Sequence, residues 1–285
     1  MISRKLKQRI ALILLRIPPI IVALIIFAII GYLIAGGIGA INLDFILQFP
    51  KEGMTAGGIF PAIIGTLILM TLTVLFAVPL GIFASIYLSE YTRREGSLLI
   101  RSISIATNVL AGVPSIVYGL LGLGLFVLFL NLGFSLISSA LTLSFLTLPI
   151  IIAASEEALK SVPMNYREAA LALGATKWQM IKLAVLPYAL PGIMTSVILG
   201  LSRAAGETAP ILLTGVVYFL TKIPSSITDQ FMALPFHIYA LSTQSINPEL
   251  TRPLQFGTVL VLLLMVLGMN SVAILIRIRS RRMRK

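Results

Sequence analysis

The sequence predicts an all-α polytopic membrane protein with six transmembrane helices, and three observations carry that prediction. Of its 285 residues, 58% are hydrophobic and 11% charged, where soluble domains carry about 25% charged residues. Apolar runs of about 20 residues recur, long enough to cross a hydrocarbon core ~30 Å thick. The basic residues that give the net charge of +12 gather just beyond those runs, which points to membrane topology and away from nucleic acid.

The runs fall at about 17–41, 60–89, 102–130, 135–154, 188–216 and 256–276. The first, roughly 25 residues long, exceeds a signal-peptide core of about 7–15 residues and has no small-residue cleavage site after it, so it is expected to stay as a helix. The second is longer than a span needs and is expected to tilt or project. The third carries Asn108, Ala111 and Gly112 and then Gly119, Gly122 and Gly124, small residues that suit tight helix contact. No strand precedes that glycine run, which argues against a nucleotide site. Between the fifth and sixth runs lies the long segment 217–255. There Phe231, Leu234 and Ile238 recur at near-helical spacing broken by Pro235, as in a short interfacial helix. The chain divides into an N-terminal part, 1–54, a core, 55–277, with a polar loop at 155–187, and a basic tail, 278–285.

With the N-terminus inside, the segments placed in the cytoplasm hold 18 of the 22 Lys and Arg residues. They are Arg4, Lys5, Lys7, Arg9 and Arg16, then Arg93, Arg94 and Arg101, then Lys160, Arg167, Lys177 and Lys182, and six from Arg277 to Lys285. The outer segments hold Lys51, Lys222 and Arg252, and Arg203 lies within the fifth run. This asymmetry predicts a multi-pass cell (inner) membrane protein with both termini cytoplasmic. There is no cysteine, and the single His237 excludes a multi-histidine metal site. No cofactor is expected, and His237 reads as structural or solvated. No Gly-x-x-x-x-Gly-Lys-Ser/Thr loop is present, so the chain is not expected to hydrolyse ATP itself.

The polar interruption from Glu156 to Trp178 is the most informative segment. Pro163 favours a helix start at or after it, and Asn165 followed by Glu168 resembles a capping box. Tyr166, Ala169, Ala170 and Leu173 then share one face. Gly174 is placed to end the helix in a left-handed turn. Thr176 can cap a second helix in which Trp178, Ile181 and Val185 share a face, and Pro187 and Pro191 mark entry into the fifth run. Two readings stand: an amphipathic hairpin on the inner leaflet, or a docking helix for a cytoplasmic partner. Glu156, Glu157 and Glu168 disfavour an anionic leaflet, and Glu156 and Glu157 read as solvated charges or partner contacts.

Glu168-Ala169-Ala170, three residues, Gly174 and then Leu186-Pro187 resembles the EAA loop of ABC importer permeases. Ala184 stands where that pattern has a large aliphatic residue. Phe60-Pro61-Ala62-Ile63-Ile64-Gly65-Thr66, Val113-Pro114-Ser115-Ile116-Val117-Tyr118-Gly119 and Arg203-Ala204-Ala205-Gly206-Glu207-Thr208-Ala209-Pro210 are similar to phosphate importer permeases of the PstA type. The resemblance spans about residues 55–275. It implies a type I ABC importer permease fold and a loop that docks on an ATP-binding subunit through Ser161, Asn165, Arg167, Glu168, Ala169, Ala170, Leu173, Gly174 and Lys177. It also implies a homologous permease, two cytoplasmic ATPase subunits and an external phosphate-binding protein as partners, in surrounding membrane lipid.

Arg203 and Glu207 stand four apart, with Arg203 expected near the middle of the fifth helix. A charge there costs at least ~2.5–3.5 kcal/mol on insertion scales and should face the bundle or a water-filled path. The pair is either a structural tie between helices or part of a transport path. Gly206 removes bulk beside it, and Pro210 is expected to break the helix. An arginine fork suits phosphate oxygens, and Glu207 can orient it or accept from a protonated phosphate oxygen, a proton that sulfate lacks. The resemblance implies a role for Arg203, Glu207 and Thr208 in phosphate passage. Molybdate or sulfate as cargo, and an ion-coupled secondary transporter gated by the pair, remain alternatives.

Overall fold

In the computed structural model, which describes residues 4–51, 54, 56–92, 98–245 and 247–282, the apolar runs become long helices joined by short caps and turns. α1 (Arg4–Gly37) leaves most of its side chains exposed and packs along α12 (Pro248–Arg282). α2 (Leu43–Leu47) starts at Asn42, whose side chain accepts from the Phe45 amide at 2.7 Å. A two-residue antiparallel pair, β1 (Pro50–Lys51) with β2 (Ala56–Gly57), leads into α3 (Phe60–Ile86). Pro61 sits in the first turn of α3, where its missing N–H is harmless. A π turn, Tyr87–Tyr91, extends that helix.

The third run is not one straight span, as expected, but two helices. α4 (Leu98–Ala111) meets α5 (Ser115–Gly122, continued as a π segment to Phe129) at a bend of 103°. Pro114 takes an extended ψ of 138° and pushes Val113 away from helical geometry. α6 (Leu136–Lys160) begins at the Ser135 cap and is the most enclosed span, lying against α3, α4, α5 and α9 (Leu186–Ala204). Hydroxyls stitch these spans together: Ser144 donates to the Thr73 carbonyl at 3.2 Å, and Ser155 meets Ser196 at 2.6 Å. Such bonds supply cohesion where lipid tails are as apolar as leucine.

α7 (Met164–Ala172) and α8 (Lys177–Met180) follow, and a π turn at Ile181–Val185 joins α8 to α9 as one span, Lys177–Ala204. The fifth span therefore starts earlier and stops earlier than 188–216. α10 (Ala209–Leu212) is a separate short helix, and a parallel bridge, Val216 to Phe231, crosses the segment behind it. α11 (Leu234–Thr243) carries Pro235 in its first turn, so that proline starts the helix and does not interrupt it. The carbonyl of Met232 lies so close to α3 that a Cβ at Gly65 would come within 2.0 Å of it. His237 of α11 is buried, and burial lowers its pKa to about 4, so the ring is neutral.

Among the described residues five helices are long and apolar enough to cross a membrane, six if the bent α4–α5 pair is counted as one broken span. Arg93, Arg94, Arg284 and Lys285 lie outside the described residues.

Candidate transport path and docking face

The polar interruption folds into a helix, a glycine turn and a second helix. α7 starts one residue after Pro163, which occupies the N-cap with extended ψ and no side-chain bond. Asn165 is therefore inside the helix, and the capping box expected at Asn165 and Glu168 does not form. Proline had already set the start. The C-terminal end is a Schellman motif. Ala175 donates to the Ala170 carbonyl at 3.1 Å and Gly174 to that of Leu171 at 3.0 Å, with Gly174 at φ +82°. Thr176 and Gln179 then form a reciprocal capping box: Gln179 N donates to Thr176 Oγ1 at 3.3 Å, and Thr176 N to Gln179 Oε1 at 2.8 Å.

The face Tyr166, Ala169, Ala170 and Leu173 is split by this fold. Leu173 is 90% exposed, and Ser161, Asn165, Glu168, Ala169, Gly174 and Lys177 are exposed with it. Ala170 turns toward the apolar cluster of Leu159, Val162, Ile181 and Val185. Tyr166 packs on Tyr188, ring centroids 5.0 Å apart. In the second helix Ile181 and Val185 are buried, but Trp178 is half exposed and Met180 takes the inward position.

Arg167, expected on the docking face, points inward instead. Its side chain is 3% exposed and that of Glu90, its partner, 2%. Nε donates to Glu90 Oε2 at 3.1 Å and Nη2 to Oε1 at 2.7 Å, a bidentate fork. Nη1 donates to the Val162 carbonyl at 2.6 Å and Nη2 to that of Leu159 at 2.9 Å. Beside this pair Lys177 Nζ lies 4.3 Å from the Tyr91 ring centroid. Glu156, expected to be solvated or partner-bound, pairs with Lys160 at 2.6 Å.

At the other end of the α8–α9 span the chain breaks. Arg203 stands next to the last residue of α9, not near a helix midpoint. The break falls at Gly206, which donates to the Arg203 carbonyl at 3.2 Å, four residues before Pro210. A Cβ at Gly206 would meet only that carbonyl, at 3.9 Å, so the space beside it is open. Arg203 Nε lies 3.5 Å from Glu207 Oε1, with side chains 36% and 17% exposed. That separation is too long for a strong hydrogen bond. Thr208 is half-buried and caps α10 without a side-chain bond. Tyr118 of α5 lies within electrostatic reach of Arg203 and donates to the Leu110 carbonyl at 2.9 Å.

Residues 77–285 match the family of binding-protein-dependent transport system inner membrane components. The chain belongs to that family. It is a permease of the ABC importers, with their type I fold. It is 38% identical over 232 residues to the phosphate transport system permease protein PstA 1 of Mycobacterium tuberculosis, covering 81% of this chain and 73% of that one. It is 29% identical to the probable ABC transporter permease YqgI of Bacillus subtilis, covering 95% of each. Among solved structures, a chain of a bacterial ABC transporter that imports alginate superposes with a TM-score of 0.68 at 19% identity, covering 99% of both chains. The methionine transporter MetNI in an inward-facing form gives 0.60 at 18% identity, over 78% of this chain and 97% of that one. These two likenesses concern the fold alone. Membership sets aside the ion-coupled secondary transporter.

Sequence reasoning missed two residues of this permease. Glu90 reads as an ordinary acid at the end of a span, and its partner is far away in the chain. Tyr118 stands in a quoted motif, but nothing local shows that it bonds back to the Leu110 carbonyl across the bend.

Proposed function

We propose that this permease is one transmembrane subunit of an ATP-driven importer that moves inorganic phosphate into the cytoplasm. Its core is 55–277, and its coupling loop is 155–187. The observation that carries the proposal is Arg203. Its guanidinium is partly exposed at a helix break, loosely paired to Glu207 and without a hydrogen bond among the described residues. A fork held by one distant carboxylate keeps its donors available to a tetrahedral oxyanion, and the Glu207 carboxylate can accept from a protonated phosphate oxygen. Thr208 adds a hydroxyl at the same break. Its similarity to permeases named for phosphate transport supports that cargo.

A path must release what it binds, so capture falls to an external phosphate-binding protein. The power comes from two cytoplasmic ATP-binding subunits, and a homologous permease completes the path. Ser161, Asn165, Glu168, Ala169, Leu173, Gly174 and Lys177 form the surface that meets an ATPase subunit, with both termini on the same cytoplasmic side.

The test is uptake by proteoliposomes holding this chain with its homologous permease, ATPase subunits and binding protein, with phosphate, sulfate and molybdate compared. Phosphate uptake should dominate and require ATP. Uptake of sulfate or molybdate at the expense of phosphate would replace the cargo, and ATP-independent uptake would end the proposal.

A further inference from the structure

The docking loop offers partners a surface, but a surface alone does not move helices. Movement must pass from α7 into the spans. α7 packs mainly on α8 and the π turn Ile181–Val185; Ala170 adds apolar contact with the Leu159 cluster, and Arg167 hydrogen-bonds both the turn that ends α3 and the last turn of α6. Arg167 engages four of its five N–H donors. Two go to Glu90 in the π turn that ends α3, one to Leu159 in the last turn of α6, and one to Val162 in the linker. A rigid planar fork bonded at four points fixes orientation as well as distance. Glu90 is itself held by Ser89, whose hydroxyl donates to Oε1 at 3.2 Å. Glu90 lies buried within the π turn Tyr87–Tyr91, and such turns concentrate at functional sites.

The surroundings do not call for a charge. Ile86, Leu159, Val162, Met180 and Ile181 form an apolar cluster nearby, and a buried ion pair returns little stability over apolar residues of similar shape. What the pair adds is geometry. We infer that the Arg167–Glu90 pair is the fastener through which displacement of α7 reaches α3 and α6, which makes both of them positioning residues of transport. The inference rests on the coupling role proposed above for this loop.

The test uses the complete importer in proteoliposomes and reads phosphate taken up per ATP hydrolysed, together with the thermal stability of the complex. The double variant Arg167→Met/Glu90→Leu removes both charges and keeps the bulk. It should assemble with a melting temperature near that of the unmodified complex and hydrolyse ATP, while uptake per ATP falls at least tenfold. An unchanged ratio would overturn the inference, because a merely structural pair is replaced by apolar packing. Should the double variant fail to assemble, the isosteric Glu90→Gln decides: a lowered ratio supports the fastener and an unchanged one rejects it. Failure of the unmodified complex to couple ATP to uptake would instead sink the functional proposal itself.

Discussion

Two arginine–glutamate pairs stand near opposite ends of the α8–α9 span, and the fold treats them in opposite ways. Arg167 is enclosed, bidentate with Glu90, and has four donors in use. Arg203 is about a third exposed and reaches Glu207 only at 3.5 Å. Sequence alone makes both look like functional cations. The difference lies in saturation: an arginine whose donors are filled by its own chain holds structure, while one left unfilled can hold something else.

The largest expected effect breaks the saturated pair. Arg167→Met leaves Glu90 buried without a partner and should destabilise the chain by about 3–5 kcal/mol, read as a fall in apparent melting temperature in detergent. Adding Glu90→Leu should recover most of that loss; no recovery would mean the pair is worth more than its desolvation cost. The unsaturated pair should respond in transport with little change in stability. Arg203→Gln should lower phosphate uptake by roughly 10- to 100-fold, the equivalent of a charged hydrogen bond of about 1.5–3 kcal/mol, with assembly intact by co-purification. Normal uptake in that variant would take Arg203 out of the transport path.

Smaller effects separate folding of the loop from its use. Gly174→Ala places a side chain at φ +82° and should cost about 1–2 kcal/mol, and Thr176→Ala removes the capping box for about 1 kcal/mol. Both are checked by thermal melting of the purified chain. Leu173→Asp should change that melting by less than about 0.5 kcal/mol, as for an exposed site away from special features. It should nonetheless abolish co-purification with the ATPase subunits, and retained binding would move the docking face elsewhere.

The spans were legible because hydropathy is a sum over many residues, which no single contact overrides. The glycine turn and the Thr176 cap were legible because each is decided within four or five residues. Boundaries were not. Val113-Pro114 carried the bend of the third span, yet the continuous apolar run masked it. Pro210 is the breaker the sequence displays, yet α9 has already ended before Gly206. The Arg167–Glu90 contact joins residues 77 apart, and no local pattern encodes such a pairing. For the same reason Arg167 was expected on the docking face: resemblance to the EAA loop assigns a segment to a partner but not what lies across from each side chain.

The continuous span from Lys177 to Ala204 also acts as a lever. Its 28 residues make a rod of roughly 42 Å at about 1.5 Å per residue. Pivoted at the Lys177 end, a tilt of about 10° sweeps the Arg203 end through roughly 7 Å by that length. A charge-assisted hydrogen bond tolerates only a few tenths of an ångström around ~2.8 Å. A modest tilt at one end of this span is therefore enough to make or break a hydrogen bond at its other end.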